Sequence, residues 1–260
     1  MSLTYGEYLH VPELLDLQRL RSDPPEHDET LFIIIHQVYE LWFKQVIHEV
    51  RGLRGALERG ATAQSLATFK RILTIFKTMV AQVDVLETMT PTSFLSFRDR
   101  VENASGFQSA QFRVLEFLLG HRREGVLRHY EGEERASIEA VYEEPSLWDS
   151  FLDYLEAQGY QVPEELLRRD RRQPIPESEA LQDLLVEIYH EQKETKVRDL
   201  CERFVDLDEA LQEWRYRHVK MVERTIGFKK GTGGSSGAGY LRTTLFQPLF
   251  PDLWAIRSRL

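Results

Sequence analysis

The chain has 260 residues, 42% hydrophobic and 29% charged, with 14 Phe, 10 Tyr and 4 Trp, a balance that excludes a disordered chain and suits one domain over 1–260 with a sizeable core. A net charge of -9 repels a phosphate backbone and excludes nucleic acid as the main partner. The lone Cys201 excludes a disulfide framework and a Cys-based zinc or iron–sulfur site.

The N-terminus, Met1-Ser2-Leu3-Thr4-Tyr5-Gly6-Glu7, lacks the basic-then-apolar order of a signal peptide, and the densest apolar run, Leu31–Ile35, is too short to span a bilayer. A soluble, cytoplasmic protein without a membrane partner is expected. From Asp28 to Leu57, the residues Phe32, Ile35, Tyr39, Trp42, Phe43, Val46, Val50 and Leu53 recur at intervals of three and four, which predicts a helix. Ile33, Ile34 and Leu41 fill its other side. Its first half is therefore expected inside the fold, with the Glu49/Arg51/Arg54 half emerging towards solvent. Further helices are predicted from Ala63 to Leu86, Phe107 to Leu119, Leu147 to Leu155, Ala180 to Tyr189 and Val205 to Ile226. No stretch sustains a period of two, so the expected class is all-α, a single helical bundle.

Pro24-Pro25, Gly60, Pro91, Gly120, Pro145, Gly159 and Pro163 read as breaks between helices. Residues 122–179, with short helices and many charges, read as a small helical insertion on the bundle, and the Arg168-Arg169-Asp170-Arg171-Arg172 cluster as a solvated loop. From Gly227 to Gly239 the chain holds six of its 15 glycines. No strand precedes this segment, and the residue three after Gly233 is Ser236, so neither phosphate-loop pattern fits. The glycines suit a loop that packs closely over a ligand and offers backbone N–H groups. A surface linker is the alternative on composition alone.

Two of the eight histidines have unusual settings. His36 lies in the apolar half of its helix, on the face of Tyr39 and Phe43, where a polar ring needs a reason to be buried. His218 shares a stripe with Leu211, Trp214, Met221 and Val222, while Arg215 and Lys220 turn away. Either is by itself most simply a core histidine. A five-coordinate haem would use the same arrangement: one neutral imidazole, apolar walls and a vacant position for a gas. No His-x-x-x-His or Glu-x-x-His pair involves either residue, and Cys201 has no histidine partner that the sequence can place, so nucleophilic hydrolysis is unsupported. Composition and spacing end at a helical protein with an apolar pocket.

Four separated blocks carry the reading further: Leu3-Thr4-Tyr5-Gly6-Glu7-Tyr8-Leu9; His27-Asp28-Glu29-Thr30-Leu31-Phe32-Ile33-Ile34-Ile35-His36 with its continuation to Trp42; Phe97-Arg98-Asp99 followed by Ala104-Ser105-Gly106-Phe107-Gln108-Ser109; and Trp214-Arg215-Tyr216-Arg217-His218 with the run from Ile226 to Gly237. In content and order they resemble the tryptophan 2,3-dioxygenase family. The resemblance implies a bundle enclosing haem b, with L-tryptophan and dioxygen as substrates, N-formylkynurenine as product and a homotetramer as the assembly. It implies His218 as the axial iron ligand and His36 as the distal histidine that accepts a hydrogen bond from the indole N–H. Phe32 matches the aromatic that packs on the indole, and Arg98 the arginine that pairs with the substrate carboxylate. Thr232 matches the loop threonine on the ammonium and carboxylate, and Ser105 and Gly106 line the distal haem pocket. Tyr5, Tyr8 and Leu9 match residues of an N-terminal arm, residues 1–25, that reaches a neighbouring subunit's site. The sequence departs at Phe94, where some members place a tyrosine near the carboxylate, and at Ile35 and Val38, which flank His36 where polar residues are frequent.

Overall fold

The computed structural model describes residues 2–102, 104–191, 196–227, 229 and 237–260, and within these residues the regular structure is helical, with no strand. Two short helices, α1 (Tyr5–Leu9) and α2 (Val11–Leu15), form an N-terminal arm that buries none of its residues. Thr4 and Glu7 cap α1 reciprocally. A single carboxylate anchors the segment that follows the arm. Glu29 is buried and accepts hydrogen bonds from the backbone N–H of Arg21 at 2.7 Å, that of Ser22 at 3.0 Å, and the Ser22 hydroxyl. Burial by itself would raise its pKa, but these donors outweigh it and hold the carboxyl below its ordinary value.

Glu29 lies in the first turns of α3 (His27–Glu58), which a short turn joins to α4 (Thr62–Leu86). So short a connection folds two helices back against each other. The reversal uses Gly60 at φ 66°, with Gly60 N–H donating to the Leu57 carbonyl and Ala61 N–H to that of Ala56, both at 2.8 Å. These bonds satisfy carbonyls that the helix end would leave open. Pro91, expected as a break between helices, separates α4 from α5 (Pro91–Phe97) by standing at the first position of the latter. A proline costs nothing at a first helical position, where its missing N–H has no partner, and the Thr90 hydroxyl accepts from Ser93 N–H at 3.1 Å.

The helix expected from Phe107 is divided. Gly106–Gln108 is a separate 3-10 turn, and the extended Ser109 caps α6 (Ala110–Leu118) by accepting from Phe112 N–H at 3.1 Å. At its end Gly120 adopts φ 100°, with His121 N–H on the Glu116 carbonyl at 2.9 Å and Gly120 N–H on that of Phe117 at 3.0 Å. A β-carbon on Gly120 would come within 2.9 Å of Ile175 Cδ1, a second reason for glycine. There follow α7 (Gly132–Glu143), α8 (Leu147–Ala157), α9 (Glu164–Leu167), α10 (Glu179–His190), α11 (Lys196–Ile226), α12 (Ala238–Arg242) and α13 (Pro251–Ala255). α11 begins well before the expected Val205, because Val197, Leu200, Cys201 and Phe204 extend its buried stripe.

α3, α4 and α11 pack together as the central layer, and α6 and α8 lie against α3. At one end Phe69, Phe204, Trp148, Phe151 and Phe250 interlock, with ring centroids 5.0 Å apart for Phe69–Phe204, 4.6 Å for Phe151–Phe204 and 5.2 Å for Trp148–Phe250. Trp148 and Phe151 come from the 122–179 stretch and are fully buried. Arg169 in that stretch is not solvated as expected, since its buried guanidinium donates to Asp149 at 2.7 Å.

The halves of α3 are also reversed from expectation. Ile34 and Leu41 are 41% and 52% exposed, whereas Glu49 is buried, accepting from Arg71 at 3.0 Å, and Arg54 donates to Glu144 at 2.9 Å. The C-terminal half is covered by α4 and α8, and its charges enter the interior as pairs. Among the described residues no helix is long and apolar enough to cross a membrane.

Candidate active site

Where α3, α5, α6 and α11 diverge they enclose a cavity of about 730 Å³, within the size range of sites for small molecules and cofactors. Its lining brings together Phe32, His36, Phe94, Arg98, Ser105, Gly106 and His218, gathered from four separate stretches of sequence. Apolar walls come from Leu86, Met89 and Phe94, with Met221 and Ile226 beside them.

His36 stands one turn after Phe32, with ring centroids 4.2 Å apart. Its Nδ1 lies 2.6 Å from the Phe32 carbonyl oxygen. A carbonyl only accepts, so Nδ1 carries the proton and donates, and in the neutral ring Nε2 is left as the acceptor. Burial is the largest influence on its acidity and lowers the pKa, more than the Phe32 hydrogen bond and the nearby Glu40 raise it. His36 is therefore a neutral ring with one lone pair to offer.

His218, from α11, also lines the cavity. Burial, with a smaller contribution from the nearby His36, drives its pKa down to about 4. Its ring stacks on Trp214, one turn earlier, at 5.3 Å and 7° between planes. Among the described residues His218 makes no hydrogen bond, so burial and stacking hold a neutral imidazole without committing either nitrogen. Among the same residues no three His, Cys, Asp or Glu side chains gather around one point. The donor set suits a metal that brings most of its own ligands and takes a single imidazole from the protein.

Phe94 and Phe97, delivered by α5, pack on Phe32 at 5.5 and 5.6 Å. Arg98 follows at once in a 3-10 turn, half-buried at the cavity wall. Ser105 caps its turn by accepting from Phe107 N–H at 3.3 Å, and a β-carbon on Gly106 would meet nothing within 4 Å. The missing side chain there leaves open space along the wall. Thr232 lies outside the described residues. Tyr5, Tyr8 and Leu9 do not line the cavity of their own chain, and they are 78%, 70% and 43% exposed.

The sequence reading missed a cluster of charges on the same lining. Arg215, expected to turn away, is buried and lines the cavity with Arg113, Glu116, Arg123 and Tyr240. Glu116 accepts from Arg215 at 2.8 Å, from Arg123 at 2.7 and 2.8 Å, and from Arg113. Burial opposes the charge on Glu116, but the three guanidiniums prevail and lower its pKa to about 2. The only sequence clue was the acid's position three residues after Arg113. Its other partners arrive through the Gly120 turn and from α11.

A family model described as tryptophan 2,3-dioxygenase matches this chain over residues 1–159 and 153–260. The tryptophan 2,3-dioxygenase of Herpetosiphon aurantiacus is 56% identical over 260 residues, covering 100% of this chain and 99% of that protein. Its counterpart in Anaeromyxobacter dehalogenans is 59% identical, covering 100% and 97%. A more distant relative of the same name, from Bacillus cereus, is 38% identical and covers 100% and 93%.

Proposed function

This chain belongs to the tryptophan 2,3-dioxygenase family, and from that premise we propose that its cavity holds haem b on His218, with L-tryptophan packed between Phe32, His36 and Arg98. The chemistry is the dioxygen-dependent cleavage of tryptophan, opening the indole C2=C3 bond to give N-formylkynurenine. One observation carries the site assignment: two half-buried histidines, both biased to the neutral form, line a single cavity with apolar walls. A neutral imidazole is the form that ligates iron. The uncommitted His218 ring, the single-donor set and the open wall at Gly106 all fit a flat porphyrin. When bound, the haem supplies the route by which triplet dioxygen reaches a closed-shell indole, which protein acids and bases cannot provide.

The chain's own groups bind and orient the amino acid. Arg98 offers a fork of N–H donors matched to the substrate carboxylate, a geometry a lysine lacks. Phe32 packs on the indole while His36 Nε2 accepts the indole N–H. The Phe32 carbonyl holds the donor on Nδ1, so the acceptor always faces the substrate as a lone pair. A histidine with so low a tendency to take a proton is a positioning group first and a weak base second. Leu86, Met89 and Phe94 exclude water from the reacting edge. Phe94 has no hydroxyl to offer the carboxylate, which leaves more of its anchoring to Arg98 and to Thr232.

The exposed arm and the exposed apolar side of α3 support a homo-oligomer, a tetramer in this reading, with Tyr5, Tyr8 and Leu9 reaching a neighbouring site. The absence of a membrane-crossing helix among the described residues, with the lone buried Cys201, supports a cytoplasmic setting. Visible spectroscopy of the purified chain is the direct test. The chain should show a haem Soret band and form N-formylkynurenine from L-tryptophan, His218→Ala should lose the band, and Arg98→Ala should keep it while raising the KM for tryptophan about tenfold or more. No Soret band after expression with ample haem overturns the reading.

A further inference from the structure

The cavity has two cationic poles. Arg98 stands at one, beside Phe94 and Phe32. The second gathers Arg113 from α6, Arg123 from the segment after the Gly120 turn, and Arg215 from α11, one turn before His218. The side chains of Arg113 and Arg215 are only 5% and 3% exposed, and that of Arg123 is 24% exposed. Among the described residues Glu116 is the only carboxylate within ion-pair distance of these three. Its one negative charge faces three positive ones, and Glu134, also on the lining, is exposed.

The remaining neighbours are neutral. Arg123 donates to the Tyr240 hydroxyl at 2.9 Å and Arg215 to the Thr244 carbonyl at 3.3 Å. His121, 3.3 Å from Arg215, is kept uncharged chiefly by burial, its pKa falling to about 4. Arg113 Nε and Arg123 Nε have no hydrogen-bond partner among the described residues. Burial lowers the pKa of Arg215 and the two neighbouring guanidiniums add to that against the pull of Glu116, whereas at Arg123 burial is outweighed by Glu116 and Tyr240 and the pKa rises. An interior does not hold surplus charge and unmatched donors cheaply; the complement is an anion with several acceptor oxygens.

We propose that Arg113, Arg123 and Arg215 form the seat for the carboxylate side chains of the haem, separate from the Arg98 pole that takes the substrate's carboxylate. This rests on the haem reading given above and deepens it. Both carboxylates of haem b leave one edge of the macrocycle, so one cationic wall serves them while the rest of the ring meets apolar side chains. Arg215, one turn from His218 on the same helix, fixes the rotation of the ring about the axis through its iron ligand. Glu116 spaces the three guanidiniums and offsets their mutual repulsion.

The test uses the full-length chain loaded with haem, or with protohaem dimethyl ester in which both carboxylates are capped. Transfer of the pigment to excess apomyoglobin is followed in the visible spectrum. The diester leaves about tenfold faster than haem, the scale of losing a charge-assisted contact. Arg123→Gln and Arg113→Gln speed the loss of haem by a similar factor and leave loss of the diester unchanged, which a merely structural weakening of the fold would not do. Equal release of haem and diester from the natural chain overturns the proposal without touching the haem reading. A chain that takes up neither pigment overturns both.

Discussion

At His36 the tautomer is decided by a backbone atom, the Phe32 carbonyl that occupies Nδ1. The ring's folded pKa lies below its ordinary 6.5, with burial the dominant cause. An ordinary histidine would take a proton as pH falls through 6.5 and lose its acceptor; His36 stays neutral through that window. The kcat/KM for tryptophan is therefore expected to remain flat from pH 8 down past 6.5, with its acid limb lower. A pH–rate profile whose limb sits at 6.5 would remove His36 from the role of neutral acceptor. The sequence made this residue visible, since a polar ring among apolar neighbours stands out. It could not reveal the tautomer, which depends on where a carbonyl points. Arg215 shows the opposite limit. A charged residue on a helix reads as solvent-facing, and only its buried partner, Glu116 at 2.8 Å, shows otherwise.

Among elements, α6 and α11 are joined by the Glu116–Arg215 pair as well as by Phe112 on Trp214. Its pKa of about 2 in the folded chain lies well below the 4.5 of the free group. The carboxylate's contribution to stability is thus fully present above pH 4.5 and is lost as pH falls towards 2. Glu116→Gln removes the charge at every pH and leaves the buried Arg113 and Arg215 and the half-buried Arg123 facing one another. Urea unfolding at pH 7 should show a loss of about 3–5 kcal/mol, with the variant's stability falling less steeply than the natural chain's between pH 4.5 and 2. An equal acid dependence in both chains would contradict the ledger of charges drawn for this joint. Helix extents were legible wherever an apolar stripe ran long, as in α3 and α4. The start of α6 was not, because Ser109 caps the helix inside a stretch whose apolar spacing continues back to Phe107. Pro91 did mark a boundary between two helices, though a proline does not say how close to it the next helix begins.

For the whole molecule, the apolar residues that find no cover matter most. Ile34, Leu41, Leu14, Leu15 and Leu17 are all more than two-fifths exposed, beside an arm that contributes nothing to its own core. The periodicity of α3 correctly marked its first half as apolar all round, but one chain's sequence cannot say whether the cover is internal or a second copy. If the arm serves a neighbouring site, joint replacement of Tyr5, Tyr8 and Leu9 by alanine should lower kcat/KM while the haem spectrum is retained. Mixing that triple variant with His36→Ala chains under conditions that exchange subunits should then restore part of the activity. Failure of any mixture to gain activity would confine the arm to its own subunit.

The carboxylate of Glu29 lies one helical turn before Phe32, and Phe32 lies one turn before His36. The anchor of the segment that follows the arm, the Phe32 ring and the proton-bearing imidazole of His36 thus occupy consecutive turns of one helix end. Helix ends are where fraying begins. Unwinding of these turns would release the Ser22 contacts, tilt the indole support and free Nδ1 together. A single local opening at the start of α3 would therefore undo all three features at once rather than one at a time.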